Sequence, residues 1–159
     1  GLGARDIGVG VGISGGFEAV QRNYLRIENE PFMRLVIEVI GGPYPNGAYE
    51  VSVAHYGEQN GDAMRDPEIT FLVSPTSQGT TWTPLTFENS YMGCYQVVAT
   101  VSANGLLTVK HAALMQDLRN FANQWDCMLK QQGFQLYLQL TKLIKKVQTL
   151  ITSETNYPK

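Results

Sequence analysis

The sequence predicts an α+β fold, in which an antiparallel four- to five-stranded meander sheet is packed by an N-terminal helix, one long C-terminal amphipathic helix and a further C-terminal helix. Two observations lead to this prediction. Several β-rich runs follow one another in the first two thirds of the chain, and short turn sequences separate them, as is typical of antiparallel neighbours. In the last third, the apolar residues change to a helical period.

The composition is that of one soluble domain. The chain has 159 residues, of which 43% are hydrophobic and 16% are charged, and the net charge is −2. These values argue against disorder and against a global attraction to nucleic acid or anionic lipid. Cys94 and Cys127 lack the spacing of a zinc ribbon or a disulfide framework. No apolar run reaches the ~18 residues of a membrane span, so we expect a cytoplasmic protein without membrane contact.

We divide the chain into three parts. Residues 1–15 are rich in glycine and predict a flexible leader or a cloning remnant, residues 16–134 form a single α+β domain, and residues 135–159 form a heptad-like helix and tail. The domain opens with a helix from about Ser14 to Asn29, because Ser14 suits an N-cap and apolar residues follow at helical spacing.

The leader contains the glycine pattern of dinucleotide-binding folds, Gly10-x-Gly12-x-x-Gly15. That chemistry requires a buried strand before the glycines and a βαβ unit around them. The residues before Gly10 do not form such a strand, so we expect no cofactor.

The strands are predicted from β-rich runs bounded by turn residues. In the second run, alternation places Val51, Val53 and His55 on one face. Pro84 indicates an edge or a bulge, because proline cannot donate to a strand ladder. The predicted strands span residues 32–40, 49–56, 68–73, 82–88 and 94–102, and residues 106–110 add a short piece.

The long helix is predicted from about Ala112 to Gln132. Gly133 and Phe134 match the glycine C-cap and its apolar neighbour. The apolar stripe of this helix consists of Leu114, Leu118, Phe121, Trp125, Met128 and Leu129.

The last helix carries apolar residues that step by four and three, which is a heptad seam. Such a seam packs on its own domain, or it contacts a second copy or a protein partner. Both alternatives stay open, and the candidate assembly surface is Leu136, Leu140, Leu143, Val147 and Leu150.

The most informative stretch is HYGEQNGDAMRDPEITF, residues 55–71, which places many polar side chains between two apolar runs. Asn60-Gly61 is a strong turn dipeptide. An antiparallel pair joined there brings strand ends together, so we expect His55 to approach Asp66 and Glu68. The candidate functional loop is His55, Tyr56, Glu58, Asn60, Asp62, Arg65, Asp66 and Glu68.

Three chemical interpretations of this loop compete. The carboxylates and His55 suit an irregular Mg²⁺ or Mn²⁺ site, or His55 acts with a carboxylate as an acid–base pair. In the third interpretation the loop is structural, and Arg65 pairs with a carboxylate. An EF-hand is excluded, because placing Gly61 at the invariant glycine puts Tyr56 and Pro67 at ligand positions. We therefore assign no metal ion to this loop.

The strand region is also rich in aromatic residues, which on a sheet can stack bases or pack a core. Residues 38–88 carry seven acidic side chains against Arg65 alone. Such a charge balance repels phosphate, so direct nucleic-acid binding through the sheet is disfavoured.

Three segments carry a family resemblance: HYGEQNGDAMRDPEITF, WTPLTFENSYMGCYQ and LRNFANQWDCMLKQQGF. Together they resemble an uncharacterised domain family of large polyvalent proteins from phages, plasmids and conjugative elements. The resemblance spans about residues 16–134. Ser90 stands where the family pattern has an acid, which weakens a ligand role there. The resemblance implies a cytoplasmic protein of a mobile element or a gut-type bacterial host, and it implies no activity.

We therefore expect a non-enzymatic protein-interaction or accessory module. The alternative is a metal-dependent hydrolase that acts on nucleic acid or nucleotides through the stretch from His55 to Glu68. A weaker alternative is an anti-defence protein.

Overall fold

The computed structural model describes residues 5–11, 23–28, 30–134 and 141–147. Seven strands form one antiparallel sheet in chain order, followed by a two-stranded ribbon and helices. The sheet contains β1 (Arg5–Val11), β2 (Asn23–Glu28), β3 (Arg34–Gly41), β4 (Tyr49–Gln59), β5 (Asp62–Thr76), β6 (Gly79–Asn89) and β7 (Cys94–Val97). The ribbon contains β8 (Ala99–Val101) and β9 (Leu107–Val109), and the helices are α1 (Ala112–Gln131) and α2 (141–147).

The core lies between one face of the sheet and α1. Alternate residues of the central strands, such as Ile37, Val53 and Ile69, are fully buried on this face. The helix contributes Trp125 and Leu129. We call this face the helix side of the sheet and the other face the polar side. The α+β class and the antiparallel meander are therefore as predicted.

The register shifts in several strand pairs of the sheet, and the shifts in β4–β5 and β5–β6 are β-bulges that bear on the site. Ala54 pairs with Glu68 but Tyr56 pairs with Arg65, so β5 has an extra residue opposite His55. In β6 the extra residue is Leu85, next to Pro84. The bulge that Pro84 indicated is thus confirmed. Each bulge changes which side chains share a face.

The N-terminal part of the prediction was wrong in two places. Asn23–Glu28 form strand β2 where we predicted the end of a helix, and Arg5–Val11 form strand β1 within the predicted flexible leader. Leu25 and Ile27 alternate and pair with Ile37 and Leu35. A two-residue period and a helical period are hard to separate in so short a segment. The rest of the predicted helix, up to residue 22, lies outside the described residues.

The sheet is larger than predicted, with seven strands instead of four to five. The predicted strand 94–102 is broken at Val98, whose amide donates to the bulged Leu85 (2.8 Å). Val98 is buried, and its carbonyl accepts from the amides of Lys110 and His111. The break therefore anchors the β8–β9 ribbon to the main sheet.

Helix α1 has the predicted bounds and the predicted C-cap. Gly133 has φ 87°, its amide donates to Lys130, and the amide of Phe134 donates to Leu129. This pattern is the Schellman motif. The apolar stripe is rotated from the predicted one. Met115, Leu118, Trp125 and Leu129 are buried, whereas Leu114, Phe121 and Met128 are partly exposed.

Helix α2 packs on its own chain. Leu143 and Val147 are buried and belong to the same hydrophobic core as the sheet and α1. Leu136, Leu140 and Leu150 lie outside the described residues. Within the described part of the chain, no helix is long and apolar enough to cross a membrane.

Candidate functional site

The polar stretch forms a long β-hairpin. Strands β4 and β5 pair up to Gln59 and Asp62, and a two-residue turn joins them at Asn60 (φ 53°) and Gly61 (φ 84°). Positive φ at both positions is the geometry of a type I′ turn, which suits Asn-Gly. The turn is where we predicted it, but the flanking residues form a paired ladder instead of a loop. Glu58 and Asp62 are exposed near its tip.

His55 lies in the core at the base of this hairpin. The residue is 6% exposed, and its ring contacts Trp125 edge-on at 5.5 Å and Phe134 at 5.6 Å, both between ring centroids. Among the described residues, nothing hydrogen-bonds its Nε2 atom. Burial lowers the pKa of His55 to about 4, because the charged ring would lose its hydration. The side chain is therefore neutral near pH 7.

The expected meeting of His55 with Asp66 and Glu68 does not occur. Glu68 pairs with Ala54, the neighbour of His55, so its side chain lies on the polar side of the sheet. There its carboxylate accepts a hydrogen bond from Ser52 Oγ (2.7 Å), while Asp66 accepts one from Asn89 Nδ2 (2.7 Å). In the described residues, no three His, Cys, Asp or Glu side chains are grouped to hold a metal ion.

Arg65 is the centre of a charged cluster on the polar side. Its Nη1 lies 3.0 Å from a carboxylate oxygen of Glu88, its Nε lies 3.6 Å from Glu68, and Nε also donates to Tyr56 Oη (3.3 Å). The hydrogen bond to Tyr56 raises the pKa of Arg65, and the charge of Glu68 adds to this against an opposing effect of burial. Glu68 and Glu88 are cross-strand partners, so Arg65 screens their repulsion.

Hydrogen bonds attach the turn after β6, residues 89–93, to the β4–β5 hairpin. The amide of Ser90 donates to the carbonyl of Arg65 (2.8 Å), and the amide of Arg65 donates to Ser90 Oγ (3.2 Å). Asn89 bonds Asp66, and its Oδ1 accepts from the amide of Met92 (3.2 Å). Ser90 Oγ accepts a hydrogen bond at this position, as the carboxylate of an acidic residue also can.

The turn 89–93 exposes large apolar side chains. Met92 is 79% exposed and Tyr91 is 42% exposed. Tyr91 Oη and the sulfur of Met33 lie over Gly57, where a Cβ atom would collide with the Tyr91 hydroxyl. Phe32, beside Met33, is also exposed. We call Phe32, Met33, Tyr91 and Met92 the methionine–tyrosine patch. We did not predict this patch, although the signal was present as large apolar residues within turn sequences.

A cavity of about 420 Å³ also escaped the sequence prediction. It lies between α1 and strands β5 and β6. Both tryptophans of the chain, Trp82 and Trp125, line it together with polar residues of α1. The signal was a row of polar residues at helical spacing beside the apolar stripe.

The three segments of the resemblance meet in the fold. His55 of the first segment packs on Trp125 and Phe134 of the third, and Arg65 and Asp66 bond Ser90 and Asn89 of the second. The polar stretch is therefore a framework that joins sheet, turn and helix. The fold is thus an α+β domain in which the most prominent residues of the three segments contact one another.

The chain belongs to the family described as a domain of unknown function, DUF6908, whose model matches residues 12–135. This agrees with the predicted membership of an uncharacterised family and with the predicted span. Comparisons with curated proteins and with solved structures give no significant match.

Proposed function

We propose that this domain is a non-enzymatic protein-interaction module, and that the methionine–tyrosine patch is its binding surface. One observation carries the proposal. Hydrogen bonds that Ser90 and Asn89 make with Arg65 and Asp66 fix the turn 89–93 to β5, yet Tyr91 and Met92 of this turn are exposed to solvent. A surface that is ordered before binding loses little conformational entropy when a partner docks.

The composition of the patch suits a protein partner. Tyrosine and methionine are enriched in protein interfaces, and methionine adapts to irregular apolar surfaces. Glu58 and Asp62 are exposed on the same hairpin that lies under Tyr91. We therefore propose a partner segment with apolar anchors flanked by a basic residue, since complementary charge favours encounter.

The hydrolase alternative has less support from the geometry. The residues proposed for that activity lie apart: His55 is in the core, and Glu68 is on the polar side, where it accepts a hydrogen bond from Ser52. Glu58 and Asp62 remain exposed at the hairpin tip. Titration with Mg²⁺ and Mn²⁺ discriminates the two functions. Saturable binding that Glu58→Gln and Asp62→Asn both abolish would favour the hydrolase.

We further propose that the module serves a cytoplasmic protein of a phage, plasmid or conjugative element, or of its bacterial host. The support is the likeness of the three segments to the family pattern of such proteins. An anti-defence role is the special case in which the partner is a component of a host defence system.

Site-specific crosslinking tests the binding surface. A photoreactive amino acid replaces Met92 in one variant and Leu106 in a control, since Leu106 is 64% exposed on the β8–β9 turn. We expect one protein of the native host to crosslink at position 92 and not at 106. Equal crosslinking at both positions would contradict the proposal.

Binding of that protein is then measured with purified components. We expect Met92→Ser to weaken the affinity by about tenfold or more, as for a central interface residue, while Leu106→Ser leaves it unchanged. Gly57→Ala serves as a third variant, because the added methyl displaces Tyr91 without removing it. An unchanged affinity in both Met92→Ser and Gly57→Ala would refute the patch.

A further inference from the structure

The cavity between α1 and the sheet has an aromatic floor. Phe71 and Trp82 meet edge-to-face, with ring centroids 5.4 Å apart and planes at 80°. Trp125 closes one end, and its position is fixed by the edge contact with His55. Trp82 is only partly buried. In such a pair the edge of one ring covers one face of the other, and the remaining ring surface can contact a ligand.

The wall of the cavity is polar and comes from one side of α1. Gln116, Arg119, Asn123 and Asp126 all line it. Their spacing of three and four residues places them in one row along the helix. The wall therefore offers amide and guanidinium donors along one edge of an aromatic floor.

The charged side chains of this wall are Arg119 and Asp126. Lys130 Nζ lies 3.1 Å from a carboxylate oxygen of Asp126, so that acid already has a cation. Arg119 has no ion pair or hydrogen bond with any residue that the structure describes. A guanidinium that is free at the rim of an aromatic cavity suits a carboxylate, because it donates in a planar fork.

We propose that this cavity is a binding site for a planar aromatic small molecule that carries an anionic group. The ring system packs against Trp82, Phe71 and Trp125, and the anion pairs with Arg119. A cavity of about 420 Å³ is within the size range of small-molecule sites. The site is separate from the methionine–tyrosine patch, so either proposal can fail without the other.

The two tryptophans make the site directly observable. Since the chain contains only Trp82 and Trp125, protein labelled with 5-fluorotryptophan gives two fluorine resonances, both from the cavity. Trp82→Phe assigns them. The probes are 2-naphthoate and its neutral amide, which differ in charge and share the ring. We expect both resonances to shift on titration, with the carboxylate about tenfold tighter than the amide.

Three variants complete the test. Arg119→Gln should remove the preference for the carboxylate, while Lys110→Gln, an exposed residue outside the cavity, should retain it. Ala122→Leu fills the cavity and should weaken the binding of both probes. Circular dichroism and the Tm identify any variant that fails to fold. The proposal is overturned if neither probe moves the resonances of the folded wild type, or if Arg119→Gln keeps the preference.

Discussion

His55 has an apolar environment that decides its chemistry. It opens the polar stretch in the sequence, yet its ring is enclosed by Trp125 and Phe134, and burial alone lowers its pKa to about 4. A paired carboxylate would have shifted the pKa upward. The residue is therefore a core side chain that carries a titratable group.

This burial predicts an acid-sensitive stability. The unfolded chain takes up a proton on His55 near pH 6.5, whereas the folded chain does so near pH 4. Lowering the pH through this window therefore favours the unfolded state, by up to about 3 kcal/mol at about 1.4 kcal/mol per pH unit. Chemical denaturation across this pH range measures the loss.

The two histidines of the chain provide the control. His55→Leu should flatten the pH dependence, and His111→Gln, at an exposed position, should not. A steep pH dependence that persists in His55→Leu would show that other groups cause it.

The ion pairs of Arg65 lead to a second prediction, which concerns the free energy of unfolding. Removing its charge by Arg65→Gln leaves Glu68 and Glu88 opposite each other, so we expect a loss of about 1 kcal/mol in the free energy of unfolding. The value is small because Arg65 is half exposed. The loss should shrink at high salt, and Glu88→Gln in the same chain should restore part of it. A double variant as unstable as Arg65→Gln would contradict this account.

Among the elements, the β4–β5 hairpin depends on its turn. Gly61 has φ 84°, and no atom lies within 4 Å of the position where a Cβ would stand. Gly61→Ala therefore introduces backbone strain without a steric collision, and we expect a loss of about 1 kcal/mol. Thermal unfolding measures it, with the exposed neighbour Gln59→Ala as control. Equal losses in the two variants would argue against a type I′ turn.

The sequence was most informative where structure is decided locally. The turn at Asn60-Gly61 and the cap at Gly133 were predictable because glycine or asparagine is needed where φ is positive. β2 was not predictable in this way, because its apolar residues fit two periods. The separation of His55 from Glu68 could be read from alternation only once the register of β4 and β5 was known.

For the whole molecule, the role of α2 is a matter of stability. Leu143 is buried in the core, so Leu143→Ala should lower the free energy of unfolding by about 3 kcal/mol. The exposed Lys146→Ala should have little effect. Because the contact is within the chain, the change in Tm should not depend on protein concentration. A concentration-dependent change would instead support assembly through this helix.

The candidate sites belong to the whole molecule too, and this is why the sequence did not predict them. Met33 and Tyr91 are far apart in the chain and meet only because Gly57 leaves room for both. The cavity likewise needs Trp82 from β6 and Trp125 from α1 to face one space. No local pattern specifies either meeting.

The bulge at Leu85 has a consequence for how the chain can vary. Trp82 and Phe87 are five positions apart, so a regular strand would point them to opposite faces. The extra residue lets both face α1, where Phe87 contacts Phe121 and Trp82 lines the cavity. Deleting one residue there would exchange the inward and outward side chains of half the strand. Members of the family can therefore vary residue types along β6 more readily than its length.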